Sequence, residues 1–443
     1  MAEIQPFKGI RYNKDIVPDL SIVLCPPYDV ISPELQYALY HKSLYNMVRL
    51  EQGLPEAEDS LPRDKYARAA AIFRQWLGSG VLKSDLTPAI YLHHHYFLHE
   101  GDVKTRRGII ATVGLEDREK AVVRPHEGTA AVFKTDRLNL IRSCHANFSP
   151  ILALYEDTKG TVTSILAKAE ASHPLLRASG SVDEGHVLWA ITDQASLNEL
   201  FNAIADYPLY IADGHHRYET ALTYRNEQLA SATQPEKDNP FCSVMMTLVE
   251  LTDPGVIVLP FHRLVRGVAE PTIHALQEKI QRYFDIEYLP LASPLSATIL
   301  DNALKISQQG QVVIGVLGVK EGNLMVLRLH NPQTVADMMP TDRSDAYRML
   351  DVSVLHHIIL ERFLGIHEEE ALTYTRSELE AWQRITAGEY QLAFLLNPMD
   401  ARAVKAVADA TDKMPQKSTH FYPKEPAGLV INLLGGEHQG QLL

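Results

Sequence analysis

The sequence predicts a mixed α/β protein, and three observations lead to this class. Short apolar runs typical of buried strands occur along the whole chain, and amphipathic stretches typical of helices lie between them. At 443 residues the chain is too long for one hydrophobic core, and its 46% hydrophobic content is enough to fill two or three lobes. A second series of predicted helices and strands follows Gly267–Pro271, which indicates a lobe boundary there. We therefore predict an N-terminal α/β lobe over 1–266 and a C-terminal α/β lobe over 267–443.

Local signals predict the first elements. Leu20–Leu24 is an apolar run that favours extended backbone. Ser32, Pro33 and Glu34 are a helix cap, a first-turn proline and a first-turn acid, so a helix is predicted to begin there. Asp64–Leu77 has the spacing of an amphipathic helix.

Further along, alternating residues predict strands at Ile90–Leu98 and Arg107–Leu115, and the turn residues Glu100–Asp102 predict that they form a hairpin. Ser149–Tyr155 is typical of a buried strand. The remaining elements predicted from the same patterns are strands at Pro208–Ala212, Val244–Leu251, Gly255–Leu259, Gln391–Leu396 and Leu429–Leu433, helices at Tyr218–Leu229, Thr272–Phe284 and Asp351–Leu364, a strand and another helix before a hairpin over Val312–Leu329, a helix from Asn397–Asp400 to Ala410, and a loop at Lys413–Lys424.

Charge and cysteine content limit the function classes. Acidic residues number 55 and basic residues 42, which is the wrong balance for a surface that neutralises nucleic-acid phosphates. The cysteines Cys25, Cys144 and Cys242 are widely spaced and form no metal-binding pair, so they are interpreted as reduced thiols. The start of the chain lacks a signal-peptide pattern, and no run approaches the roughly 20 apolar residues of a membrane span. We expect a cytoplasmic protein that binds neither nucleic acid nor membrane.

The strongest chemical signal is the loop Asp213–Arg217, with sequence Asp-Gly-His-His-Arg, at the end of an apolar strand and ahead of a helix. A strand, a tight turn and a helix together aim backbone N–H groups at an anion. Gly214 permits close backbone approach, His215 and His216 can donate or carry protons, and Arg217 matches phosphate oxygens. Asp213 could cap the helix or bind a metal ion. The alternative is an ordinary capped helix with exposed histidines.

Two other polar loops are candidates for the same chemistry. Arg124–Thr129 combines Arg124, His126 and Glu127 in a restricted loop, and Glu127 is the candidate general base; a solvated loop with surface ion pairs is the alternative. In Met414–Lys424, the triplet Lys417, Ser418 and Thr419 could close over a ligand, but the glycines of a Walker motif are missing. Cys25–Val30 could be a rigid loop that lines the site, although a plain proline-rich turn is an equally good interpretation. Pro260–Arg263 adds another His-Arg pair just after a strand.

The remaining histidine clusters are assigned structural roles. In His93-His94-His95 alternate residues point to opposite faces of the predicted strand, so only His93 and His95 could share a metal ion. Because no further ligand is identified, we predict exposed strand histidines and no metal site. His356 and His357 lie in the apolar helix Asp351–Leu364, where core or interface histidines are expected.

Five motifs in the same order strongly resemble a large uncharacterised prokaryotic family, catalogued as domain of unknown function 1015, and the resemblance covers nearly the whole chain. They are Pro26–Ile31, Arg124–Glu127, Ala146–Pro150, Ala212–Tyr218 and Met414–Thr419. Membership of this family implies no activity by itself.

The loop Asp213–Arg217 also resembles the nucleotide-handling loop of the ParB and sulfiredoxin superfamily, which includes free serine kinases. This resemblance implies a ParB/sulfiredoxin-like lobe in which Gly214, His215, His216 and Arg217 hold nucleotide phosphates. By the same analogy Glu127 would deprotonate the acceptor hydroxyl. The chain lacks a recognisable helix-turn-helix or basic region, so a role in chromosome partitioning is disfavoured.

These observations favour a phosphotransferase that uses Mg²⁺ with ATP or ADP and acts on a small hydroxyl compound, with free L-serine as the first candidate. In this hypothesis Asp213, His216, Arg217 and Glu127 are catalytic, and the second polar set binds phosphate or nucleotide: Arg124, His126, Lys417, Ser418 and Thr419. A nucleotide-binding sensor without net chemistry and a phosphatase or nucleotide hydrolase are the alternatives, because all three need a phosphate site. A homo-oligomer through Asp351–Leu364 or an exposed patch is left open.

Overall fold

The computed structural model describes residues 2–55, 64–117, 121–179, 183–231, 239–291, 311–367 and 371–435. The chain divides into two compact units. The first unit comprises Met1–Pro125, Thr129–Val256 and Pro423–Leu443, and the second comprises His126–Gly128 and Ile257–Tyr422. Three stretches of chain therefore build the first unit, and the second takes three residues, His126–Gly128, from within the first.

Strands and helices are both abundant, which confirms the predicted mixed α/β class. The strands are β1 Ile4–Gln5, β2 Ile10–Tyr12, β3 Leu82–Ser84, β4 Ile90–His99, β5 Asp102–Gly114, β6 Val123–Pro125, β7 Ala146–Asn147, β8 Ile151–Tyr155, β9 Leu176–Ser179, β10 Glu184–Ile191, β11 Leu209–Asp213, β12 Ser243–Glu250, β13 Ile257–Leu259, β14 His262–Val265, β15 Phe284–Pro290, β16 Val313–Leu317, β17 Asn323–Leu329, β18 Leu372–Thr375, β19 Leu392–Leu396, β20 His420–Tyr422 and β21 Asn432–Leu433.

The α-helices are distributed along the chain. They are α1 Pro33–Lys42, α2 Val48–Glu51, α3 Asp64–Gly78, α4 Ala131–Cys144, α5 Thr161–Glu170, α6 Gln194–Ala205, α7 His215–Ser231, α8 Glu270–Ile280, α9 Asp345–Arg348, α10 Asp351–Val354, α11 Glu378–Thr386 and α12 Ala401–Asp409. No helix of the described residues is long and apolar enough to cross a membrane.

The first unit is built on a mixed sheet whose strand order is β6-β11-β8-β12-β5-β4-β10-β9, with β1 paired to β5. Two pairs, β6 with β11 and β8 with β12, are parallel, and the other pairs are antiparallel. Two hydrophobic cores cover its faces, as the pleat of β4 shows: Tyr91 packs into one core, and Ile90 and Leu92 pack into the other. The sheet is therefore buried on both sides, and its central strands carry few exposed side chains.

Elements with strong local signals were predicted well. The Ser32 side chain accepts a hydrogen bond from the backbone N–H of Leu35, and α1 begins at Pro33 as expected. The predicted hairpin is formed by β4 and β5, with His99 paired to Asp102 across the turn. Glu100 and Gly101 both have positive φ, at 51° and 83°, which is the backbone conformation that two-residue hairpin turns of this class require.

The extended run predicted at Leu20–Leu24 is wrong, because Leu20–Ile22 forms a 3₁₀ turn. The Asp19 carboxylate accepts a hydrogen bond from the backbone N–H of Ser21 at 2.9 Å and so caps that turn. A local bond between side chain and backbone has overridden the propensity of the apolar residues.

In the second unit the strand order is β15-β17-β16-β19-β14-β18, and the predicted hairpin corresponds to β16 and β17. The additional helix predicted before this hairpin falls largely on 292–310, outside the described residues. The predicted helix Asp351–Leu364 is present but not uniformly α-helical, since Leu355–Phe363 is a π-helix. His356 and His357 lie on it, half-buried, and His357 bonds Glu361 and Tyr347 at 2.7 and 2.8 Å, as expected for satisfied histidines.

Replacing Asp351 with asparagine is expected to stabilise the protein at pH 8. Burial raises the pKa of this carboxyl to about 6. An unfolded aspartate ionises near pH 3.9, so ionisation favours the unfolded state increasingly as the pH rises from about 4 to 6. We expect the variant to gain about 1–3 kcal/mol in urea unfolding at pH 8 and almost nothing at pH 4. Asp345→Asn, at the exposed start of α9, is the control and should show no such pH dependence.

Candidate functional site

The loop Asp213–Arg217 lies where an apolar strand turns into a long helix. The residues of β11 are all buried in the sheet, including Leu209 and Ile211. The strand therefore holds Asp213 in a fixed position at its end. Gly214 has φ of +96°, a conformation that favours glycine, and α7 begins at the next residue. The predicted arrangement of strand, turn and helix is present. The positive end of the α7 dipole therefore lies at this loop.

Asp213 is the centre of a buried ion-pair cluster. The Lys424 ammonium donates a hydrogen bond to Asp213 Oδ1, and Arg217 Nη2 donates one to Asp213 Oδ2 at 2.7 Å. Burial by itself would raise the pKa of the Asp213 carboxyl, but the two cations outweigh it and hold the pKa well below its usual range. Asp213 is thus a carboxylate whose two oxygens each accept a hydrogen bond from a cation.

Arg217 joins two of the sequence motifs. Its Nη1 donates to Ser149 Oγ at 3.0 Å and to the backbone carbonyl of Pro150 at 2.5 Å, so the Ala146–Pro150 motif holds the guanidinium in place. Its Nε is buried and has no hydrogen-bond partner among the described residues. Arg217, Ser149 and Thr220 also line a small cavity of about 50 Å³.

Lys424 is a site residue that the sequence analysis missed. Its side chain is only 11% exposed, and the carboxylate of Asp29 lies 3.8 Å from its Nζ. Burial disfavours the ammonium ion, but the carboxylates of Asp213 and Asp29 raise its pKa overall. Asp29 belongs to the loop Cys25–Val30, which the sequence offers as a lining of the site. Lys424 lies at the end of a predicted loop far from Asp213 in sequence, and no spacing signal could have paired them.

The two histidines of the loop occupy different positions. His215 is buried at the start of α7, whereas His216 is half-buried. The backbone N–H of Ala130 donates to His216 Nε2 at 2.9 Å, and the Phe133 ring contacts the imidazole edge-on, with 5.3 Å between ring centroids. A His216 imidazole that accepts at Nε2 is held in one orientation by the start of α4.

A separate cluster in the second unit unites residues from two predicted loops. His126 is fully buried, and its Nε2 lies 3.0 Å from Thr419 Oγ1. The Thr419 hydroxyl donates to Glu127 Oε1 at 3.2 Å. Because this hydroxyl has one proton and gives it to Glu127, it accepts from His126. The backbone N–H of Met414 also donates to the His126 carbonyl at 2.8 Å, so the two loops fix each other.

The other residues of these two predicted loops make contacts of their own. Arg124 belongs to β6 of the first unit, where its Nε donates to the Ala121 carbonyl at 2.8 Å and its guanidinium lies 5.7 Å from the centre of the Tyr210 ring. Lys417 is exposed, has a positive φ of 53° and lies over the Phe261 ring. The Ser418 hydroxyl donates to the Pro415 carbonyl within its own loop.

The prediction that His93, His94 and His95 are exposed is wrong. His93 and His95 are 1% exposed and His94 is 8% exposed. Their strand, β4, lies between β5 and β10 in a sheet that is covered on both faces. Alternation along one strand does not reveal whether the strand is central, so the sequence pattern could not show this burial.

Replacing Gly214 with alanine is expected to cost stability and to disturb Arg217. The left-handed backbone costs alanine about 1–2 kcal/mol, and the added Cβ would lie 3.0 Å from Arg217 Nε and Nη2. Gly80→Ala is the matched control, because Gly80 has a similar φ of +74° and open space around it. We expect the Gly214 variant to lose more stability in urea unfolding than the control; equal losses would contradict the proposed crowding.

The model of a protein family described as protein of unknown function (DUF1015) matches residues 4–353. The chain belongs to this family. The match includes the loop Asp213–Arg217 and Glu127, and so confirms the family suggested by the motifs. No curated protein matches the sequence.

Solved structures give only distant similarity. SbnI with a C-terminal truncation, from Staphylococcus aureus, is 11% identical with a TM-score of 0.35, over 75% of this chain and 92% of that one. A free serine kinase in complex with AMP is 13% identical with a TM-score of 0.31, over 68% and 86%. A conserved hypothetical protein from Pyrococcus furiosus is 14% identical with a TM-score of 0.31, over 68% and 90%. Scores of this size do not support the transfer of a function.

Proposed function

We propose that the protein is a nucleotide-dependent phosphotransferase that binds nucleotide phosphates at the loop Asp213–Arg217 and acts on a small hydroxyl compound. The observation that carries this proposal is the convergence of Lys424 and Arg217 on Asp213, beside Gly214 and the start of α7. Two buried cations at the positive end of a helix dipole form an environment that favours an anion. The resemblance of this loop to the nucleotide-handling loop of the ParB and sulfiredoxin superfamily suggests that the anion is a nucleotide phosphate.

The cations of the loop are held by carboxylates that a phosphate could replace. Lys424 and Arg217 contribute two positive charges, and these are balanced by Asp213 and by the Asp29 carboxylate 3.8 Å from Lys424 Nζ. A phosphate oxygen would compete with the Asp213 carboxylate for the same N–H donors, and the forked guanidinium of Arg217 suits two oxygens at once. In the absence of nucleotide, Asp213 therefore stabilises both cations. Asp213 has this positioning role in the proposal.

The transfer step follows from the residue types. The acceptor hydroxyl loses its proton to the Glu127 carboxylate, its oxygen bonds to the terminal phosphorus of the nucleotide, and the bond from that phosphorus to the bridging oxygen breaks. ATP would leave as ADP, and ADP would leave as AMP. We assign this role to Glu127 because it is a carboxylate in a polar loop. The hydrogen bond that Thr419 donates to it would orient the carboxylate. Mg²⁺ belongs to the proposal as the ion that accompanies the nucleotide phosphates and supplies charge neutralisation when bound.

The test follows phosphorus resonances of the purified protein with Mg²⁺, L-serine and either ATP or ADP. We expect a new phosphomonoester signal, and we expect its loss in Arg217→Gln, which removes the cationic fork while keeping side-chain length. Arg142→Gln is the control, because Arg142 forms an exposed ion pair with Glu227 at the surface. Circular dichroism of both variants checks that the fold is kept.

The other outcomes identify the alternatives. Phosphate release without serine dependence would favour a hydrolase that uses water as the acceptor. Saturable nucleotide binding without any product would favour a sensor. Full activity in Arg217→Gln, or no nucleotide binding by the intact protein, would contradict the proposed role of the loop.

A further inference from the structure

A second cluster of potential ligands lies on the main sheet of the first unit. Strands β4 and β10 pair in antiparallel register with His95 directly opposite His186. Glu184 is two residues before His186 and therefore points to the same face of the sheet. His93, two residues before His95, shares that face too. The pairing of two strands brings together three imidazoles and a carboxylate that are separated in sequence.

Three members of the cluster have the spacing of metal ligands. One ligand atom from each of His95, Glu184 and His186 lies within 4.8 Å of the other two. His95 Nε2 is 3.7 Å from Glu184 Oε2. His95 and His186 are 1% and 2% exposed, whereas the Glu184 side chain is 25% exposed. The carboxylate therefore marks the side from which an ion could enter.

An unsatisfied atom points into the cluster. His95 Nε2 is buried and has no hydrogen-bond partner among the residues that the structure describes. A buried polar atom without a partner costs roughly 1–3 kcal/mol, so its retention calls for an explanation. An ion between His95, His186 and Glu184 would satisfy it.

We propose that His95, His186 and Glu184 bind a zinc ion. Two imidazole nitrogens and one carboxylate oxygen are a set of ligands that zinc accepts, and three protein ligands leave a fourth position for water or another small ligand. Nitrogen ligands favour zinc over Mg²⁺ and Ca²⁺, which prefer oxygen. None of the three ligands belongs to the loop Asp213–Arg217, and the proposal does not depend on the proposed function.

The surroundings prepare the imidazoles for this role. His186 Nδ1 lies 3.1 Å from His93 Nε2, so His93 holds the ring nitrogen that would face away from the ion. Burial lowers the pKa of His186 to about 3, and it also lowers the pKa of His95.

Arg106 sets the strength of the site. Its Nη2 lies 3.3 Å from His95 Nδ1 and 2.6 Å from Glu425 Oε1. A guanidinium N–H directed at Nδ1 puts the imidazole proton on Nε2, so zinc binding must move this proton to Nδ1 and break the contact with Arg106. Arg106 keeps its shorter bond to the buried Glu425 carboxylate, which also compensates its charge. The cost of this exchange makes the site weaker than a structural zinc site without a neighbouring cation.

The experiment is a metal titration of the full chain, purified without a histidine tag and stripped with a chelator. Co²⁺ is the first probe, because its visible absorption reports coordination geometry, and Zn²⁺ is then added to displace it. We expect one equivalent of Co²⁺ with absorption typical of tetrahedral or five-coordinate sites, and its displacement by one equivalent of Zn²⁺.

Glu184→Gln is the decisive variant, because this partly exposed side chain can lose its charge without disturbing the buried histidines. We expect roughly a tenfold or greater loss of Co²⁺ affinity with an unchanged circular dichroism spectrum. His94→Gln is the matched control, since His94 points to the opposite face and bonds Tyr96 and Glu170 there. The proposal is overturned if the intact protein binds no stoichiometric Co²⁺, or if the Glu184 and His94 variants bind it equally well.

Discussion

Replacing Asp213 with asparagine is expected to destabilise the protein by about 3–5 kcal/mol, because the change leaves two buried cations without their shared carboxylate. Lys424 and Arg217 have side chains only 11% exposed, so water cannot compensate for the lost charge. Asparagine keeps the size of the side chain, which limits the effect to charge and hydrogen bonding. The measurement is urea unfolding at pH 7, followed by tryptophan fluorescence.

The control is Asp206→Asn, which removes the carboxylate of an exposed pair with Lys159 at 2.8 Å. Exposed pairs contribute about 0–1 kcal/mol, so the control should unfold almost like the parent protein. A double variant, Asp213→Asn with Lys424→Met, should be more stable than Asp213→Asn alone because it removes one of the stranded cations. A loss in Asp213→Asn no larger than in Asp206→Asn would show that the buried cluster contributes little.

The same contribution should depend on pH. The cations hold the pKa of Asp213 below that of an unfolded aspartate, so its stabilising effect is present above about pH 4 and decreases as the pH falls further. The stability difference between the parent protein and Asp213→Asn should therefore shrink on acidification. A difference that grows below pH 4 would contradict the assignment of Asp213 as an ionised partner of Lys424 and Arg217.

The second large effect is expected on catalysis. If the protein transfers phosphoryl groups as proposed, Glu127→Gln should lower kcat by about 10²–10⁴-fold, because an amide cannot accept the proton of the acceptor hydroxyl. Glutamine keeps an oxygen that can accept the hydrogen bond from Thr419, so the loop should remain ordered. The measurement combines kcat for phosphoester formation with the dissociation constant for the nucleotide, which should change by less than about twofold if Glu127 acts only in the transfer step.

Glu380→Gln is the matched control for Glu127. Glu380 is also a carboxylate of the second unit that accepts a hydrogen bond from a threonine, Thr375, so it tests the general cost of replacing such a group. We expect its kcat to equal that of the parent protein. Equal kcat for Glu127→Gln and the parent protein would show that Glu127 takes no part in the transfer step. The nucleotide site of the first unit would then be tested separately, by the dissociation constant for the nucleotide.

Much of the fold could be predicted because its signals are local. Ser32 marks the start of α1, and the residues after His99 mark the hairpin turn, since capping and turn chemistry act over a few residues. The 3₁₀ turn at Leu20–Ile22 was missed although its cause, the Asp19 side chain, is equally local. The apolar run alone predicts extended backbone there, whereas the Asp19 cap decides the structure.

The candidate site was predictable in part for the same reason. Gly214 and Arg217 are three residues apart where β11 turns into α7, so their motif is visible in the sequence. The contacts between Asp213 and Lys424 and between His126 and Thr419 join residues hundreds of positions apart. Such contacts depend on which strands become neighbours, and the pattern within one strand does not contain that information. The burial of His93–His95 could not be predicted for the same reason, since it depends on the strands on either side of β4.

The position of the Lys424 segment in the chain determines when the first unit can complete its fold during synthesis. Ala427, Leu429, Val430 and Ile431 are buried in the core of the first unit, yet the ribosome makes them after the whole of the second unit. Until they emerge, the nascent chain exposes the apolar surface that they cover, and Arg106 and Asp213 lack Glu425 and Lys424 as partners. The first unit to be translated is therefore the last to be completed. During this interval the incomplete first unit exposes apolar surface, which favours aggregation.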